Sequence, residues 1–253
     1  MCLKNIEFSI TIYVDILSST FDHKGEKSMY KYETHLHTYP VSKCASAGVR
    51  ESLEYYKSLN YDGVFLTNHF IDGYINVSSD LSFEERLNFY FSDYEEALEI
   101  GKELGIKVFL GIETSYMGVD FLIYGLDKAW YFAHPEIMDM KKKDQLTYFM
   151  EQGALVIHAH PFRLDAHNDY IRLMPNRVHG VEVINTSRSD DVNVMAGLYA
   201  KHYKLIEFAG SDNHAASKLR KLAGMCSSRK IVDEVDFVNA VKNGEMEIFC
   251  DIY

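Results

Sequence analysis

Five of the 11 histidines in this 253-residue chain fall at the ends of short apolar runs. The segment 31–36 leads into His35 and His37, and Gly63-Val64-Phe65-Leu66 runs into Thr67-Asn68-His69. Val108-Phe109-Leu110-Gly111-Ile112 delivers Glu113, and 154–159 delivers His160, with His158 two residues earlier on the same face of an extended chain. The run 205–210 leads into Ser211-Asp212-Asn213-His214. Imidazoles and carboxylates are the ligands of Zn, Mn or Fe rather than Ca. One His-x-His pair means little, because any strand puts i and i+2 on one face. Five strand ends, each releasing a His, Asp or Glu, form a pattern that chance does not readily supply. His134, His167, His179 and His202 lack this setting and read as ordinary hydrogen-bonded histidines.

The elements that must position these groups alternate in kind. Strands are expected at 31–36, 61–67, 106–112, 120–125, 154–159, 180–184, 205–210 and near 246–252. Helices are expected at 47–59, 84–104, 144–152, 190–203 and 233–243. On the long helix Leu87, Phe91, Tyr94, Leu98 and Leu104 form the expected apolar face, and Gly105 suits the position just past its end. Strand–helix alternation predicts parallel strands joined by right-handed crossovers, and seven or eight such units favour a closed barrel over an open sheet. In a parallel barrel the C-terminal strand ends share one rim, where active sites are built. Residues 1–28 read as an N-terminal extension, with an alternating strand at Ile6 to Ile16 followed by a polar linker, and 29–253 as one domain.

Composition sets limits. Hydrophobic residues at 47% and charged residues at 25% describe a folded domain, not a disordered chain or a disulfide scaffold. The net charge of −11 weighs against a broad grip on nucleic acid, which needs Lys and Arg to displace counterions. Cys2, Cys44, Cys226 and Cys250 form no CxxC pair and read as reduced thiols. No apolar window is long enough to span a membrane, and acidic residues interrupt the N-terminal run, so a cytoplasmic location without membrane partners is expected. The pattern says nothing of oligomeric state.

In this order the motifs Glu33-Thr34-His35-Leu36-His37-Thr38, Leu66-Thr67-Asn68-His69, Gly111-Ile112-Glu113, His158-Ala159-His160-Pro161-Phe162-Arg163 and Gly210-Ser211-Asp212-Asn213-His214 resemble the PHP (polymerase and histidinol phosphatase) superfamily. The resemblance covers residues 30–253 and implies an α/β fold, a distorted (β/α)7 TIM-like barrel. It also implies a metal-dependent phosphoesterase that binds two or three divalent ions (Zn, Mn or Fe). His35, His37 and Asp212 then resemble ligands of one ion, Glu113 a bridge to a second that His160 also binds, and His69 and His214 ligands of a third. Three departures stand out. Asp120 occupies the place where many relatives have His and is kept as a candidate ligand, since a carboxylate also binds metal, and Asn68 stands where Asp is usual. The stretch Pro40-Val41-Ser42-Lys43-Cys44-Ala45 lacks the Asp or His that often serves the third ion. Cys44 there reads as a free thiol, although a thiolate can ligate.

The reaction this implies is hydrolysis of a phosphate ester, most simply of a small phosphorylated metabolite, by a metal-bridged hydroxide. Asp212 is placed to ligate or to accept a proton. Arg163 is expected to clamp phosphate oxygens, with Arg188 a second substrate-binding candidate. Tyr74, His167 and Arg172 lie on loops expected above the same rim. The competing readings are a metal-dependent amidohydrolase, which commonly needs a bridging Lys that no strand end here supplies, and a non-catalytic PHP-like scaffold.

Overall fold

The computed structural model describes residues 29–164, 169–217 and 221–252. The strand expected within 1–28 and His167 lie outside the described residues. β1 (Tyr30–Leu36), β2 (Gly63–Leu66) and β3 (Lys107–Tyr116) lie side by side and parallel, linked by α1 (Val49–Ser58) and α2 (Phe83–Leu104). β4 (Val119–Tyr124) follows, then α3 (Lys128–Ala133), α4 (Lys142–Glu151) and β5 (Leu155–Ala159). β6 (Gly180–Asn185), α5 (Asp190–Tyr203), β7 (Ile206–Gly210), β8 (Lys221–Ser227), α6 (Glu234–Lys242) and β9 (Glu247–Ile252) complete the chain. The strand order is β7-β6-β5-β4-β3-β2-β1-β8-β9.

The sheet curls until β7 meets β1 again. Thr34 Oγ1 donates to the Ala209 carbonyl, and beyond the strand ends His37 N donates to Asn213 O at 3.0 Å. The expected barrel of seven strands is therefore present, nearly closed, with β8 and β9 added antiparallel beside the start of β1.

Its distortion corrects one expectation. β4 is antiparallel to both β3 and β5, so the strands are not uniformly parallel. Met117 (φ 47°) and Gly118 (φ 79°) both sit in the left-handed region, and two such residues make a tight hairpin whose twist suits the flanking strands. No crossover helix is needed. β8 and α3 are additions that the hydropathy pattern did not single out.

Alternation on the strands sorts the core. On β3, Phe109 faces a cluster with Tyr32, Phe65, Leu122, Tyr124 and Phe208, while Val108 joins α1 and α2 in a separate cluster. α6 lies against the aromatic cluster, with the Phe237 ring 4.3 Å from Phe65 and 5.6 Å from Tyr124. Truncating Phe237 to Ala would cost about 3–5 kcal/mol. The buried stripe of α2 is Leu87, Tyr90, Phe91, Ala97 and Ile100. Tyr94, Leu98 and Leu104, expected on that face, are only half-buried. Gly105 ends the helix at φ 66° as expected.

Candidate metal centre

The five strand ends do meet. His35 Nε2 and His37 Nε2 are 3.2 Å apart, each is 3.3 Å from one oxygen of Glu113, and each is 3.4 Å from Asp212 Oδ1. His160 Nε2 lies 3.4 Å from Glu113 Oε1 and 3.8 Å from Asp212 Oδ2. His69 Nδ1 is 2.7 Å from Glu113 Oε2, yet neither atom is aligned for a hydrogen bond. Buried polar atoms in contact but not paired are what convergent ligands look like, because their lone pairs aim at a shared point.

Four groups of side chains each bring one ligand atom per residue within 4.8 Å of one another. They are His35, His37 and Glu113; His35, His160 and Asp212; Glu113, Asp120 and His160; and His37, Cys44, His69 and His214. Sharing of His35, His37, Glu113 and His160 between groups describes adjoining cation sites. All eight residues expected to be ligands are thus brought together, and Cys44, set aside from the sequence, joins them.

Charge in the centre follows from burial and neighbours. Burial opposes ionisation of Glu113 and Asp212, but the imidazoles around them outweigh it and hold both carboxyls well below the usual range. Burial likewise disfavours protonation of His35, but Glu182, Asp212 and Glu113 overcome it and hold His35 well above its ordinary value. His37, buried and facing His214 and His69, is pushed down to about 3 and is a neutral imidazole, the form that ligates metal.

Two of the candidate ligands stand on strained backbone. His160 has φ 28° and Asp212 φ 53°, which side-chain-bearing residues adopt only when the surroundings enforce it. The enforcement is visible at His160, whose N–H donates to Glu182 Oε2 at 3.0 Å. The other oxygen, Glu182 Oε1, is 2.8 Å from His35 Nδ1, the carboxylate–imidazole pairing that orients a ligating histidine. Glu182 is fully buried between two valines of β6. That misfit of a Glu between Val181 and Val183 was the signal available in the sequence, and it was missed. Ser42 Oγ plays the matching part for His37, 3.1 Å from Nδ1. Gly210 is required for packing: a Cβ there would lie 2.5 Å from His35 Cβ and 2.9 Å from Glu182 Oε1.

Asn68 does not reach the ligand groups. Its Oδ1 accepts from Thr38 N at 2.7 Å and Ser42 Oγ at 2.8 Å, and its Nδ2 donates to Thr38 Oγ1 at 2.8 Å. It orders the turn after His37. His158, despite the His-x-His spacing, also stays out. It is fully buried, lies stacked 4.9 Å from Phe121, makes no hydrogen bond through either ring nitrogen, and burial pushes it down to about 3.

Both candidate substrate arginines sit at the centre. Arg163 Nη1 is 3.0 Å from Asp120 Oδ2, and Arg188 Nη2 donates to Asp212 Oδ2 at 2.8 Å. Asp120 also accepts from Ser115 Oγ at 2.7 Å. Tyr74 is exposed beside Lys43, and Arg172 stacks on Tyr116, 5.0 Å from the ring centre.

No family model matches the sequence, and no curated protein matches it either. Solved structures do match in shape. A two-domain protein from Bacteroides vulgatus, containing a predicted PHP-like metal-dependent phosphoesterase, superposes with a TM-score of 0.61 at 16% identity, over 88% of this chain and 65% of the other. The chain thus spans less than two thirds of that protein's length. PsfC from Pseudomonas syringae matches with a TM-score of 0.56 at 14% identity, over 89% and 92% of the two chains. An amidohydrolase from Chromobacterium violaceum, solved with bound sulfate and no metal, matches with a TM-score of 0.50 at 16% identity, over 73% and 88%. At such identities the likeness is one of fold, and the fold is PHP-like.

Proposed function

We propose that this chain is a PHP-type metal-dependent phosphoesterase that hydrolyses a small phosphomonoester, with His35, His37, His69, Glu113, Asp120, His160, Asp212 and His214 as metal ligands. The observation that carries the reading is the convergence of imidazoles and carboxylates from five strand ends, with two arginines on the same rim. Divalent ions held there would neutralise phosphate charge and lower the pKa of an attacking water towards neutrality.

The protein's own residues would supply the rest. Neutral His37 and ionised Glu113 and Asp212 present the donor set. Asp212 Oδ2 accepts from Arg188 and Asn185 and lies 3.8 Å from His160, contacts that keep it ionised and available as a ligand. Arg163 and Arg188 each already rest on a carboxylate at ion-pair distance, and the oxygens of a phosphate offer the same fork-shaped acceptor. A phosphate that reached either arginine would replace Asp120 or Asp212 as its partner and stand beside the ligands.

The test is bound-metal analysis together with hydrolysis of p-nitrophenyl phosphate, with and without added Zn or Mn, followed by a screen of phosphorylated metabolites. Metal-stimulated turnover supports the reading. Bound metal with turnover of amides and not phosphoesters would transfer the chain to the reaction named for the Chromobacterium violaceum neighbour. Metal with no turnover would make it a scaffold, and no bound metal would end all three.

A further inference from the structure

Cys44 stands apart from the other thiols among the described residues. Cys226 is buried and Cys250 half-buried, whereas Cys44 is exposed at the mouth of the centre. Its Sγ lies within 4.8 Å of ligand nitrogens on His37, His69 and His214. The chain on both sides of it is fastened to the strand ends that carry those histidines. Before it, Ser42 Oγ accepts from the His69 N–H at 3.0 Å, and Lys43 N donates to Tyr74 O at 3.0 Å. After it, Ser46 N and Ala47 N donate to the His214 carbonyl at 2.7 and 3.3 Å. The serines and the backbone do this fastening.

We propose that Cys44 is a thiolate ligand of a third cation site with His69 and His214, and that it makes this site prefer a sulfur-seeking ion such as zinc over manganese. The proposal rests on the metal-centre reading above and departs from it in the ligand. Sulfur and imidazole are both zinc donors, and three protein ligands would leave a fourth position open to water or substrate. Thiolate donors select against manganese and magnesium, which favour oxygen. The His37 ring, with its centre 4.5 Å from that of His69 and 4.3 Å from that of His214, connects this site to the carboxylate-bridged pair, since its Nε2 faces Glu113 and Asp212. On cation binding the thiol proton passes to solvent, so uptake at this site releases a proton.

The full chain, stripped with a chelator and titrated with cobalt(II), should develop the intense near-ultraviolet sulfur-to-cobalt charge-transfer absorption. Cys44→Ser should lack that band and, after zinc loading, should hold about one equivalent less metal than the parent. Cys44→Asp should recover the missing equivalent without the band and shift its preference to manganese, which a merely structural cysteine would not do. Circular dichroism confirms that the variants fold. A parent protein that binds cobalt without the band, or a Cys44→Ser variant with unchanged band and zinc content, overturns this proposal and leaves the carboxylate-bridged centre standing. A parent that binds no metal at all overturns both.

Discussion

His35-Leu36-His37 and His158-Ala159-His160 have identical spacing, and both lie at the C-terminal end of a barrel strand. At the end of β1 both imidazoles enter the centre. At the end of β5 only His160 does, while His158 packs on Phe121 and Tyr199. The difference lies in the backbone. Strand alternation alone would keep His160 on the Phe121 side, but its φ of 28° turns it, and Glu182 holds the turn. Spacing of i and i+2 therefore says that two side chains share a face only while the chain remains a strand. At a strand end, a buried acceptor decides where the last residue goes.

The largest effect should follow from breaking the β1 side. His37→Ala or Asp212→Ala should abolish phosphoester turnover and lower metal content while the circular dichroism stays native; full turnover in either would refute its role. Glu182→Gln comes next, because it weakens the support of both His35 and His160. A loss of roughly 10–100-fold in metal affinity is expected, the usual effect of removing a partner of a metal ligand, and calorimetric titration would measure it.

A smaller effect concerns the turn after His37. Asp93 on α2 is buried, and burial raises its carboxyl from 3.8 to about 6 although Thr38 Oγ1 donates to it at 2.7 Å. The folded state therefore binds this proton more tightly than the unfolded chain, so this contribution to stability is fullest below the unfolded value. It is lost as pH rises through the window 3.8 to about 6. Asp93→Asn should flatten that part of the stability–pH curve, a change of about 3 kcal/mol across the window in denaturant melts. An unchanged curve would mean that the carboxyl does not titrate there. The smallest effect belongs to the β5 side: His158→Phe removes two unpaired ring nitrogens and should leave turnover unchanged while gaining about 1 kcal/mol. Lost turnover would place His158 back in the chemistry.

The same contrast explains what could be read from residue order. The strand ends and the side chains that converge from them were legible because apolar runs ending in His, Asp or Glu are a local signal. The hairpin at Met117-Gly118 was harder to read, since only the glycine is a turn residue, and so β4 was given the wrong direction. The partners of Cys44 and Glu182 were hidden for another reason, although each residue was conspicuous in its own segment. Cys44 is 25 residues from His69 and 170 from His214 in the numbering, and Glu182 reaches His35 only because β7, its neighbour, closes on β1. Only closure of the sheet brings such partners together. Arg163 and Arg188 rest on Asp120 and Asp212, carboxylate partners that were not foreseen.

One consequence of the Asp93 contact reaches further than pH. Asp93 stands midway along α2, and its Oδ2 accepts from Thr38 and from Asn68, the residues just after His37 and just before His69. The longest helix among the described residues is thereby tethered to two ligand-bearing strand ends at a single carboxylate oxygen. Were α2 to lift from the barrel, the turn that fixes His37 and the approach to His69 would loosen in the same event, which makes the helix and that half of the centre one cooperative unit of local unfolding.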